Sequence, residues 1–140
     1  MSTLILSTFI QASDTIKEGQ PYPIEKIREQ NKKIIKMVVE EISKKLPQKV
    51  DNYTTLIQIK AQETTLIYSF EINTGAKRDE MVIKEDKARM QRVITQGVCQ
   101  SSKRFLNAGV TLSYAYISAS SKKNLFTFTM TQKRCKALKL

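Results

Sequence analysis

The sequence predicts an α+β fold in which helices cover one face of an antiparallel sheet of four or more strands, in the order αββααββ. Three observations carry that expectation. Ile24, Ile27, Ile34, Val38, Ile42 and Leu46 recur at spacings near three and four, the period of one helix face. Two stretches, 53–72 and 110–131, alternate apolar and polar residues with the period of a pleated strand. Between them Met90, Val93, Ile94 and Val98 return to helical spacing. Each layer has an apolar side that only the other can cover.

The amino-terminal run Leu4-Ile5-Leu6-Ser7-Thr8-Phe9-Ile10, followed by Gln11-Ala12-Ser13, has the apolar core and cleavage region of a secretory signal peptide. No Lys or Arg precedes it, and an extra strand of the mature fold is the competing reading. Residues 1–13 are therefore expected as a signal peptide and 14–22, with Gly19 and Pro21, as a linker. A single domain is expected over 23–135 and a basic tail over 136–140. No apolar run is long enough to span a membrane as a helix.

Pro23 suits the first turn of the long helix, and Pro47 stops it after Lys44 and Lys45. Strict alternation over Tyr53–Ala61 places Tyr53, Thr55, Ile57, Ile59 and Ala61 on one face and Thr54, Leu56, Gln58 and Lys60 on the other. A short turn then joins this strand to Leu66, Tyr68, Phe70 and Ile72 as a hairpin. Lys77-Arg78-Asp79-Glu80 reads as a charged loop, and the second helix is expected over 84–98, with Glu85 or Asp86 at its start. Ser101 is expected to cap a short helix that Gly109 closes. Strands at Val110–Tyr116 and Phe126–Met130 follow.

Composition bounds the chemistry. The 140 residues carry 24 Lys+Arg against 13 Asp+Glu, a net charge of +11, which favours acidic partners: nucleic acid, anionic lipid or an acidic protein patch. The excess lies on the helices and the C-terminal end, where residues 110–140 hold six basic residues and no acidic one. The chain has no histidine, which removes His-based triads, His-ligated zinc and a His general base. Its four glycines match neither a phosphate-cradling loop nor a dinucleotide fingerprint, so neither a cofactor nor a metal site is expected. Glu40-Glu41 and Glu85-Asp86 are adjacent and diverge around a helix, a poor arrangement for paired acid–base work. A non-enzymatic protein is the expectation.

The only two cysteines, Cys99 and Cys135, stand at either edge of the C-terminal unit. They are either a disulfide, clamping the helical layer to the end of the sheet, or a buried and an exposed free thiol. Export favours the bridge, which would add roughly 4 kcal/mol in the chain-entropy model for a loop of this length. Tyr53, Tyr68, Phe70, Tyr114, Tyr116, Phe126 and Phe128 share strand faces with Ile57, Leu66 and Met130, where a core belongs. On an open face the same rings would stack single-stranded bases. Lys32, Lys33, Lys36, Arg89, Arg92, Lys103 and Arg104 form the candidate surface for an acidic partner.

Ile94 and Cys99 on a helix, then Arg104-Phe105-Leu106, Gly109-Val110-Thr111, Tyr114-Ala115-Tyr116 and a hairpin closing at Cys135 resemble a small bacterial cell-envelope domain. The pattern, over residues 50–135, is similar to the α+β type of pilotin, the accessory protein that guides outer-membrane secretins. The resemblance implies a periplasmic, disulfide-closed, non-enzymatic domain that docks a protein partner, through a groove or an added strand. The chain departs from it in lacking a lipid-attachment cysteine and in its strong positive charge. A cytoplasmic or phage-borne nucleic-acid binder is the alternative, if residues 1–13 belong to the fold.

Overall fold

A computed structural model describes residues 23–140; the expected signal peptide, 1–13, and linker, 14–22, lie outside the described residues. Helix α1 spans Ile24–Ser43, and β1 Gln48–Lys49, β2 Thr54–Gln62 and β3 Thr65–Ile72 follow. Helices α2, Asp79–Ser101, and α3, Lys103–Asn107, lead to β4, Thr111–Ser118, and β5, Asn124–Met130, and α4 spans Gln132–Ala137. The five strands are ordered in space as in sequence.

The expected α+β architecture is present, with one ladder of different sense. Strands β1–β2, β2–β3 and β4–β5 pair antiparallel, while β3 and β4 run parallel, from Thr65 opposite Thr111 to Ile72 opposite Ser118. A parallel return needs a crossover of a dozen or more residues, and α2 with α3 supplies it. Two further elements flank the expected ones. Strand β1 is too short to show a period, and Pro47 before it has no N–H to extend the ladder.

Strict alternation fails in β2. Leu56 pairs with Phe70 but Gln58 with Ser69, so Ile57 is the extra residue of a bulge, and Leu56 and Ile59 both turn inward. The second helix begins at Asp79, five residues before its expected start, because Asp79 and Glu80 serve its positive end from within the first turn. Asp86 therefore sits inside the helix and caps nothing. Ser101 is the last residue of α2, and no side chain caps α3. Gly109 does close α3: at φ +99° its N–H donates to the Leu106 carbonyl, and the Val110 N–H donates to that of Phe105. This double bond is the Schellman arrangement, which asks for a residue free of a Cβ.

One apolar cluster fills the space between the helices and the sheet. Ile35 of α1, Val82, Val98 and Cys99 of α2 and Leu106 of α3 meet Leu66, Phe70, Leu112, Tyr116, Phe128 and Met130. Across the middle strands Tyr68, Phe70, Tyr114, Tyr116, Phe126 and Phe128 form a continuous tier, with ring centroids 4.8 to 6.2 Å apart. The rings thus serve the core. Tyr53 is the exception, 68% exposed at the entry to β2. Burial raises the hydroxyl pKa of Tyr68, Tyr114 and Tyr116 above the ordinary phenol value.

The opposite sheet face is polar: Gln58, Ser69, Ala115 and Thr127 lie in one cross-strand row, and Lys60, Ile67, Ser113 and Thr129 in the next. Helix α1 packs on β2 and α2 on β5, so the long helices cover opposite margins of the same face. Met130, fully buried under α2, is the most enclosed residue of β5. Met130→Ala is expected to lower unfolding free energy by about 2–5 kcal/mol in a urea titration. A loss below about 0.5 kcal/mol, the scale of a surface change, would place it outside the core.

Candidate functional site

The cysteines are joined, Cys99 to Cys135, with Cα atoms 5.7 Å apart and both side chains buried. The second anchor lies just past the last strand, as expected, and there Cys135 is part of a short helix, α4. That helix forms because the Thr131 side chain accepts the Arg134 N–H at 3.1 Å, capping the turn directly after β5. The chain then folds back, and the Leu140 N–H donates to the Cys135 carbonyl at 2.9 Å. Leu140 packs on the core cluster.

A groove of 570 Å³ opens where the ends of β2 and β3 face α2. Its apolar floor is Ile72, Val82 and Met90, with the Tyr53 ring at its mouth. Local hydrogen bonds set its walls. The Asp51 carboxylate accepts the N–H groups of Tyr53 and Thr54, each at 2.8 Å, which holds its pKa below the usual carboxylate range. Asn73 accepts the Gly75 N–H at 3.0 Å, and Gly75, at φ +63°, takes the left-handed turn toward α2. Lys77 reaches Asp86 at 3.0 Å and Glu85 at 3.1 Å, and these two contacts raise its pKa. Asp86 in turn is held below its ordinary range by Lys77 and, more weakly, Arg89. The rim is thereby neutralised internally. An apolar trough with satisfied charges suits a segment of polypeptide better than a small charged substrate.

The seven basic residues expected to meet an acidic partner fall into two groups. Lys32, Lys33 and Lys36 lie on α1, over the β2 margin. Lys32 is held by Glu63 of the β2–β3 turn at 3.1 Å and by Glu29 at 3.4 Å, which raise its pKa, and Lys36 lines a 490 Å³ groove with it. Lys33 is exposed. Arg89 and Arg92 project from α2, and Lys103 and Arg104 from α3, all exposed, with Arg89 at the groove beside the β2 and β3 ends. Arg89 contacts Asp86 at 3.5 Å, whereas Arg92 lines a 380 Å³ groove with Arg134, Leu138 and Leu140. This last groove was not visible in the sequence as a site. Its signals were Arg134 and Leu138, four apart, one at the end of the expected domain and one in the expected tail.

Among the described residues no group of three or more His, Cys, Asp or Glu is placed to hold a metal ion, and no helix is long and apolar enough to cross a membrane. A family profile described as a domain of unknown function, DUF8479, matches residues 29–126. No curated protein sequence matches the chain. Three solved structures share the fold. A Pseudomonas aeruginosa protein described as secreted superposes with a TM-score of 0.66 at 15% identity, over 78% of this chain and 96% of that one. The pilotin EpsS of the Vibrio vulnificus type 2 secretion system gives 0.66 at 13% identity, over 79% and 96%. The pilotin AspS of the Vibrio cholerae type II system gives 0.63 at 13%, over 81% and 100%. The fold is that of the α+β pilotins.

The Lys77–Asp86 pair ties the rim of the large groove to α2, and its pH dependence has a definite sign. Because the folded-state pKa of Asp86 is depressed, the unfolded chain takes up the proton first. The contribution is present above about pH 4 and disappears as pH falls through the folded value. Asp86→Asn should lower the urea midpoint modestly at neutral pH and leave it nearly unchanged in strong acid. An equal drop at both would show that the pair is not what Asp86 contributes.

Proposed function

The chain belongs to the DUF8479 family, and we propose that it is an exported, non-enzymatic accessory protein of the bacterial cell envelope that docks a segment of a larger assembly protein. The assembly is a secretion or conjugation machine. The observation that carries the proposal is the shared fold with two secretion-system pilotins and a secreted protein, over nearly their whole lengths. The buried Cys99–Cys135 bridge supports it independently, since such bonds persist in oxidising compartments such as the periplasm. Residues 1–13 are then the cleaved signal peptide, 14–22 a linker and 23–135 the docking domain, followed by its basic end.

The chemistry at hand supports a non-enzymatic role. The chain has no imidazole, and its only two thiols are bonded to each other. What the surface does offer is concave and partly apolar: grooves beside α1 and α2 fit for a partner's helix or extended strand. Among the described residues no strand pairs with the outer edge of β2 beyond Leu56, where β1 stops, an edge that suits an added strand. The base-stacking alternative loses its platform, because the strand aromatics are the inner face of the core.

Expression with the native amino terminus, followed by cell fractionation and intact mass under non-reducing conditions, tests the reading. The expected species is periplasmic, shortened near Ala12 and lighter than its reduced form by two hydrogens. A cytosolic, full-length protein with two titratable thiols would overturn it.

A further inference from the structure

The charge of this chain is segregated along its length to an unusual degree. Residues 1–86 contain all 13 acidic side chains and 13 basic ones, so they are neutral; residues 87–140 contain 11 basic side chains and no acidic one. The whole net charge of +11 therefore belongs to the second stretch. The fold concentrates it further, because α2, α3 and α4 pack on one another around the bridged cysteines. Elsewhere on the molecule carboxylates are at hand, and several cations use them: Lys32 pairs with Glu63, Lys77 with Asp86 and Glu85, Lys122 with Glu71. Beyond Asp86 the helices have no side-chain carboxylate to offer.

The 380 Å³ groove between α2 and α4 lies within this surface. Ala88, Leu138 and Leu140 give it an apolar part beside Gln91, Thr95 and Gln96, and Leu138 is 52% exposed, a side chain left without cover. Arg92 stands on the α2 wall and Arg134 on the α4 wall. Among the described residues neither guanidinium has a carboxylate within 4.0 Å, whereas Arg89, one turn before Arg92, contacts Asp86. A partly apolar trough between two guanidinium groups without a carboxylate partner has a definite complement.

We infer that the α2–α4 groove docks an acidic, amphipathic segment of a protein partner. Apolar side chains of that segment cover Leu138 and Leu140, and its carboxylates engage Arg92 and Arg134. The planar fork of a guanidinium matches a carboxylate with two parallel hydrogen bonds, so the pair sets orientation as well as attraction. The surrounding Lys87, Lys133 and Lys136 steer the approach. A bilayer presents a plane, which cannot enter a trough, and no aromatic ring lines the groove to stack a base. The inference rests on the accessory reading for its biological setting and identifies the surface and the chemistry that reading leaves open.

The test is a fluorescence titration of the bridged protein with four probes: a leucine–glutamate amphipathic helix, its leucine–lysine counterpart, a single-stranded oligonucleotide, and vesicles containing phosphatidylglycerol. The acidic amphipathic peptide should bind tightest, and Arg92→Glu with Arg134→Glu should weaken it by at least about tenfold, as for desolvated interface charges. Lys45→Glu with Lys123→Glu, an equal change of net charge on exposed residues away from the groove, should have little effect. Leu138→Asp should also weaken the peptide. Tighter binding of oligonucleotide or vesicles, or equal losses in the two charge-reversal variants, would overturn the inference. Circular dichroism and an intact bridge establish that each variant is folded. Capture from envelope extract separates the two levels. A partner retained equally by Arg92→Glu/Arg134→Glu refutes the groove alone, and no partner for the wild type refutes the accessory reading while the titration still decides the groove.

Discussion

The architecture depends on one covalent constraint, the bridge from the end of α2 to the middle of α4. Helix α4 has six residues, too few to persist in water by its own hydrogen bonds. The bridge fixes it against a helix of 23 residues that is itself anchored on β5. The covalent loop encloses α3, β4 and β5, so the bond also limits how far the second half of the sheet can open in the unfolded chain. The groove between α2 and α4 exists only while α4 is held there.

The rest of the scaffold explains why such grooves occur. A sheet with one apolar face carries two long helices over its opposite margins, and the aromatic tier fills the middle. The helices leave troughs where they meet strand ends and turns. Local devices shape those troughs: the Asp51 turn, the left-handed Gly75, the Thr131 cap. Two of the troughs carry a lysine paired with a carboxylate, Lys32 with Glu63 and Lys77 with Asp86, and the α2–α4 trough has no such pair among the described residues. The difference follows from sequence composition, since acidic residues end at Asp86 and the α2–α4 trough is built from later residues.

Much of this was legible in the residues, and the failures have physical causes. The stripe from Ile27 to Ile42, the alternation from Leu112 to Tyr116 and the glycine after Ala108 report burial and backbone demand directly, so the helix, the strand and the α3 stop came through. The bulge at Ile57 did not, because one inserted residue inverts the facing of everything beyond it without changing composition. The parallel β3–β4 pair is a property of chain routing, which no local pattern encodes. The α2 start was read late since Asp79 and Glu80 look like loop residues unless the helix dipole is considered. Helix α4 escapes the sequence because six residues carry too little periodicity to register. With it go Arg134 and Leu138, two of the residues lining the inferred docking groove, while Arg89 and Arg92, on a long helix, lie on the outside as expected.

The claim that the bridge pins α4 and so builds the docking surface is tested most directly by hydrogen–deuterium exchange on the oxidised and reduced protein. The amides of Leu138, Lys139 and Leu140, which donate to α4 carbonyls, should be protected with the bridge closed. Reduction should expose them while the β3–β4 ladder stays protected. Equal protection of these three amides in both states would show that packing alone holds α4, and that the covalent link is not what the surface depends on.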